Sequence, residues 1–131
     1  MIAPPEFLDL ADVIGFHAAG IARWHGSSGL RDRGALESAI AQPQATFAGE
    51  YLHEDLFAMA AAYAFHIAEA QAFVDGNKRA AVLAAIVFLD INGFRIPQHE
   101  DVVYLAMCEI AAHTMSKGQL AGLLRDLANV T

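Results

Sequence analysis

The chain has 131 residues, with 8 Lys+Arg against 15 Asp+Glu and a formal net charge of −7. That length fits one domain, residues 1–131, around one buried core, and the acidity argues against the broad basic surface of a nucleic-acid binder. An apolar content of 56% lies outside the range of disordered chains, and 27 alanines against 10 Gly and 4 Pro favour helix. A single cysteine, Cys108, excludes an internal disulfide, suits a reducing compartment, and reads as a small core residue within the apolar stretch 102–110. The N-terminus lacks the basic and then apolar order of a signal peptide. The longest run without formal charge, 56–68, falls short of the ~18 residues that a membrane span needs. The expectation is a soluble, cytoplasmic protein with neither a nucleic-acid nor a membrane partner.

In chain order, the first helix is expected to start near Pro5, to carry Leu10, Ile14, His17, Ala18 and Ile21 inward, and to end before Gly26-Ser27-Ser28-Gly29. A short helix follows Asp32, a suitable N-cap, and must stop before Pro43. Leu56, Met59, Ala60, Tyr63, Ala64 and Ile67 then keep the i, i+3, i+4, i+7 spacing, with Glu54 and Asp55 at the positive end of that helix. Residues 77–92 are apolar on nearly every face after the first turn, which belongs in the middle of a bundle. Gly93 ends that helix, and 94–97 reads as a short extended or hairpin-like flap. A fifth helix spans about 100–113 with Val103, Ala106, Met107 and Ile110 inward. The last opens on the capping-box pattern Ser116-Lys117-Gly118-Gln119 and buries Leu120, Leu123, Leu124 and Leu127. The fold class is all-α, with about six helices and no strand beyond the 94–97 piece.

Chemistry concentrates in Gln71-Ala72-Phe73-Val74-Asp75-Gly76-Asn77-Lys78-Arg79, between the two most apolar helices. Gly76 permits a turn, and Asp75 or Gly76 can precede the helix that begins near Asn77. A helix N-terminus offers unpaired N–H groups and partial positive charge, so it attracts anions. Lys78 and Arg79 stand in the first turn, where cations oppose the dipole unless a polyanion sits there. Asp75 supplies a hard oxygen for Mg²⁺, Asn77 an amide that can orient a phosphoryl oxygen, and Phe73 an apolar peg.

This segment resembles the Fic/Doc family, and within it the death-on-curing toxin branch, whose signature is H-x-F-x-D-[GA]-N-K-R. Phe73, Asp75, Gly76, Asn77, Lys78 and Arg79 match in order and spacing. The likeness extends through Gly29-Leu30-Arg31-Asp32, Leu36-Glu37-Ser38-Ala39, Pro43-Gln44-Ala45-Thr46-Phe47-Ala48, Asp55-Leu56-Phe57, Phe88-Leu89 and Asn92-Gly93. The resemblance implies a compact helical bundle that binds ATP with magnesium. It also implies transfer of the γ-phosphate to a threonine of elongation factor Tu, which stops translation. By position, Gly76, Asn77, Lys78 and Arg79 would bind phosphate, Asp75 the metal, and Asn77 would orient the reacting group. The wider branch that transfers AMP usually has glycine where Lys78 stands, so nucleotidyl transfer is the lesser enzyme alternative.

The sequence departs from the signature at Gln71, where the family has its catalytic histidine. Glutamine can position a hydroxyl but has no site that takes a proton near neutral pH. Such a loss costs ~10²–10⁴ in rate, although phosphoryl transfer leans mainly on positioning and charge neutralisation. A catalytically silent binding module is therefore a further alternative. Glu69 stands where the resemblance leads one to expect arginine. His66 reads as a hydrogen-bonded core histidine, rotated away from Gln71, and His17, His25, His53, His99 and His113 show no zinc spacing. Thr46-Phe47-Ala48-Gly49-Glu50 partly matches the inhibitory helix of some relatives, but Tyr51 breaks the pattern and the stretch reads as a connector. A toxin without a built-in inhibitor implies a type II system with a small antitoxin, whose tail folds into an apolar groove. Met1, Ile2, Phe7 and Phe47 are candidate groove residues that ordinary packing also explains.

Overall fold

The computed structural model describes residues 4–97 and 99–130, so Met1 and Ile2 lie outside the described residues. Helix α1, Leu10–Trp24, starts later than the Pro5 expectation. The reason is a reciprocal capping box: the Asp12 N–H donates to Asp9 at 2.8 Å and the Asp9 N–H to Asp12 at 2.9 Å. The preceding residues instead form a strap tied by side chains of the core. The Leu8 N–H donates to the Tyr63 hydroxyl at 2.9 Å, and Asn92 brackets Glu6 through its N–H and carbonyl, both at 2.9 Å. Burial pushes the Tyr63 hydroxyl up to about 12, so it stays neutral and available for this bond. On α1, Val13, His17 and Gly20 are buried, whereas Ala18 points to solvent rather than inward.

Helix α2, Arg33–Ala41, is capped by Asp32, and a 3-10 turn, Gln42–Gln44, accommodates Pro43. Strands β1, Thr46–Phe47, and β2, Glu50–Tyr51, then form an antiparallel hairpin where no strand was expected. Ala48 and Gly49 both have positive φ, 54° and 83°, so this two-residue turn matches the twist of the strands without the usual Asn-Gly signal. Phe47 is 76% exposed on it, and Phe7 packs against Tyr51 and Phe88.

Helices α3, Leu56–Ala70, and α4, Asn77–Ile91, form the centre. Both are rich in buried alanine, including Ala60, Ala61 and Ala64 on one and Ala80, Ala81, Ala84 and Ala85 on the other. Small side chains let the two backbones approach closely, and the rings of Tyr63 and Phe88 pack against each other between them, 5.0 Å apart. Helix α1 packs on α4 and helix α2 on α3.

Gly93, with φ of 98°, ends α4, and strand β3, Phe94–Arg95, follows. The extended piece expected at 94–97 is present, but it pairs with strand β4, Asn129–Val130, rather than within itself. Helix α5, Glu100–Ala111, covers α4, with Val103, Ala106 and Met107 buried, and Cys108 is half-buried beside them. Helix α6, Lys117–Leu127, packs on α3 and opens on the expected box between Ser116 and Gln119. No helix among the described residues is long and apolar enough to cross a membrane.

Candidate active site

Residues 71–76 join the two central helices and are held from three directions. Gln71 ends α3 in the left-handed conformation, φ 49° and ψ 39°. The Ala72 carbonyl accepts N–H bonds from Arg31 at 2.7 Å and Asp32 at 3.0 Å, and the Val74 N–H donates to Gly29 at 3.0 Å. These bonds zip the loop to the segment ahead of α2 as a short bridge between Leu30 and Phe73. Phe73 is buried, and the His17 ring stacks flat on it at 3.8 Å. His17 Nε2 donates to the Asp75 carbonyl at 2.7 Å, because a carbonyl can only accept, and this fixes where the ring proton sits.

From the other side, Asn77 is buried and its amide closes a pair of bonds with one residue. Its oxygen accepts the Phe73 N–H and its nitrogen donates to the Phe73 carbonyl, both at 3.0 Å. The Asn77 side chain thus orients the loop. Its bond to the Gln71 amide oxygen is long, 3.5 Å. Gly76 has φ of 77°, which favours glycine, and a Cβ there would crowd the Ile21 side chain at 3.3 Å.

The N-terminus of α4 is left open by this arrangement. Side chains of Asp9, Asp32, Asp55 and Ser116 cap α1, α2, α3 and α6, whereas Gly76 provides no side-chain bond to α4. Asp75 does not cap the helix either. Its two oxygens accept the Gly76 N–H at 2.8 Å and the Ser27 N–H at 3.2 Å. Lys78 and Arg79, in the first turn, form no ion pair among the described residues. Each opposes the helix dipole by roughly 0.3–1 kcal/mol, a cost that a bound anion would reverse. The Arg79 guanidinium lies 3.8 Å from the Tyr104 ring and 4.5 Å from that of Trp24, which hold it on two aromatic faces.

Two cavities meet at Gln71 and Lys78. The polar one, 430 Å³, is lined by His25, Asp75, Gly76, Asn77 and Arg79 as well. The neighbouring one, 270 Å³, is apolar, with Phe65, Ala68, Met107 and Ile110 among its walls and Glu69 and His113 at its edge. Gln71 itself turns back on α3, its amide nitrogen donating to the Ala68 carbonyl at 2.6 Å, while Arg31 donates to its carbonyl at 2.6 Å.

The residues singled out within 71–79 lie in or under this site: Gln71, Asp75, Gly76, Lys78 and Arg79 on the cavity wall, Asn77 and Phe73 as its support. His66 faces elsewhere, 3.4 Å from Lys117 Nζ. Burial first, then the Lys117 charge, holds its pKa below the usual histidine range. Sequence reasoning missed His17, Arg31, Trp24 and Tyr104. His17 had an inward helical position as its signal and Arg31 stood in a matching segment, whereas Trp24 and Tyr104 reach the site only through the fold.

No group of three or more His, Cys, Asp or Glu among the described residues is placed to hold a metal ion, so no all-protein cage exists there. Asp75 fits magnesium in the way that ion is commonly bound, through one carboxylate together with phosphate oxygens. Its side chain is exposed, and each oxygen accepts only one N–H.

Fold and site together define a helical bundle with a polar cavity, walled in part by Lys78 and Arg79, at the start of its central helix. The chain belongs to the Fic/DOC family, whose model matches residues 7–89. It is 42% identical over 97 residues to Toxin Doc of Mycolicibacterium smegmatis, covering 74% of this chain and 72% of that one. It is 34% identical over 116 residues to Protein kinase doc of Escherichia phage P1, covering 88% and 90%.

Proposed function

We propose that the chain is a Doc-type toxin of a type II toxin–antitoxin system, acting in the cytoplasm. It transfers the γ-phosphate of ATP to a threonine hydroxyl of elongation factor Tu and so blocks translation. The observation that carries this reading is the open N-terminus of α4, with Lys78 and Arg79 unpaired in a polar cavity of 430 Å³. Backbone N–H groups of the first turn and Lys78 bind phosphate oxygens, and Arg79, steadied by Trp24 and Tyr104, adds a fixed positive charge. Asp75 would hold magnesium, which when bound neutralises phosphate charge. Asn77 and His17 keep the loop rigid, so positioning requires little reorganisation. The adjoining apolar cavity suits the nucleobase. A lysine at 78, rather than glycine, supports γ-phosphoryl over nucleotidyl transfer.

An antitoxin partner has support of its own. An open groove of 1220 Å³ runs between the N-terminal strap, the hairpin and the ends of α3 and α4. Tyr51, Leu56, Phe57, Met59, Ile91 and Phe94 give it the apolar lining that a docked helix requires.

Gln71 favours a second reading, a silent module that binds nucleotide without transfer. Its amide is tied to Ala68 and takes no proton. ATP labelled separately at the α and γ positions, incubated with the chain and elongation factor Tu, separates these readings. Transfer of γ-label supports the kinase, transfer of α-label supports nucleotidyl transfer, and retained binding without transfer supports the silent module.

A further inference from the structure

We propose that His25 is the proton acceptor of this site and replaces the histidine absent at position 71. This inference rests on the phosphoryl-transfer reading above. His25 lines the same cavity as Gln71, Asp75, Lys78 and Arg79, directly after Trp24, whose ring supports Arg79. Its place there is built. The Gly26 backbone lies so close to Asp75 that an added Cβ would stand 2.7 Å from the carboxylate, and the Ser27 N–H donates to the same carboxylate at 3.2 Å. These contacts tie residues 26 and 27, next to His25, to the motif loop.

The backbone of His25 has φ of 66° and ψ of 176°, a combination that is essentially reserved for glycine. Glycine would end α1 there without strain, yet this chain carries an imidazole. The ring has no hydrogen-bond partner among the described residues and is exposed, so it is free to meet a substrate hydroxyl.

The other histidines near the site are committed or misplaced. His17 is buried, stacked on Phe73, and donates from Nε2 to the Asp75 carbonyl. His66 is turned toward Lys117. His113 lines the apolar cavity, away from Asp75 and Arg79, and its positive φ of 62° follows the end of α5, where such values are common.

In the step, the acceptor hydroxyl oxygen bonds to the γ-phosphorus of ATP and the bond from that phosphorus to the bridging oxygen breaks, releasing ADP. The hydroxyl proton passes to a ring nitrogen of His25 and then to water.

The test uses the full chain with γ-labelled ATP, magnesium and elongation factor Tu, and compares it with His25→Gln, His25→Gly and Gln71→His. The expected result is transfer by the parent chain and a loss of about 10²–10⁴ in kcat in both His25 variants, with nucleotide Kd unchanged. His25→Gly, which relieves the backbone, should melt at an equal or higher temperature, so its loss of rate is not a loss of fold. Retained kcat in either variant overturns the proposal. A parent chain that is inert while Gln71→His transfers label overturns the role of His25 and leaves the kinase reading standing. If both are inert, the kinase reading falls with it.

Discussion

The starts of the two central helices use similar ingredients to opposite ends. At α3, Asp55 caps the helix through the Ala58 N–H at 2.8 Å and also accepts from Arg125 at 2.7 Å, so dipole, carboxylate and cation satisfy one another. At α4, Asp75 is drawn aside by Gly76 and Ser27, no side chain caps the helix, and Lys78 and Arg79 add positive charge to a positive end. One end is electrostatically closed and stabilises the fold. The other is left unsatisfied inside a polar cavity, and that deficit can be met by an anion from outside. The comparison teaches that a binding site is recognised here by what the fold leaves unpaired.

The largest expected effect comes from removing the peg beneath the open end. Phe73→Ala should cost about 3–5 kcal/mol in urea unfolding, because the ring is buried and supports His17. Next, Lys78→Ala should weaken Mg-ATP binding about 10- to 100-fold by calorimetry, in line with ~1.5–3 kcal/mol for a charged hydrogen bond. The same change should raise stability by roughly 0.3–1 kcal/mol, since a cation at a helix N-terminus is removed. A fall in both quantities would break the comparison.

The closed end should respond the other way. Asp55→Ala should lose about 1 kcal/mol of stability as an N-cap and leave Mg-ATP affinity unchanged. Burial pushes the Asp55 carboxyl up, but the Ala58 N–H, Arg125 and the Phe57 N–H outweigh it and hold its pKa below the ordinary value. Its contribution is therefore full above about pH 3.9 and lost as pH falls through the lower folded pKa, a loss that Asp55→Asn should not show in acid titrations.

The smallest effect concerns His66 and His53, whose pKa values are both lowered, first by burial and then by Lys117. The unfolded chain binds more protons below about pH 6.5, so stability should decline between about pH 6.5 and the folded pKa values. Melting curves of His66→Gln across that range should show a shallower decline.

Local signals were legible in the sequence and non-local ones were not. Asp32 and Ser116 cap helices where the sequence predicts, because an N-cap acts within three residues, and Asp55, expected only at the positive end of its helix, caps it as well. The start of α1 was misread because Pro5 is also a good first-turn residue, while the Asp9–Asp12 box decides the matter. The hairpin at 46–51 escaped because Ala48 takes a positive φ that its type does not advertise, and β3 finds its partner in the distant segment Asn129–Val130. The site divides the same way. Residues 71–79 are contiguous and could be read as a phosphate motif, whereas His17, Arg31, Trp24 and Tyr104 converge only once α1, α2 and α5 are packed.

The central claim, that the open end of α4 is a phosphate site and the closed end of α3 is not, is tested most directly by amide chemical shifts. Mg-ATP added to the ¹⁵N-labelled chain should move the N–H resonances of Asn77, Lys78 and Arg79 at saturable concentrations and leave those of Phe57, Ala58 and Met59 in place. Saturable binding that leaves the α4 amides unmoved, or that moves the α3 amides instead, would contradict it.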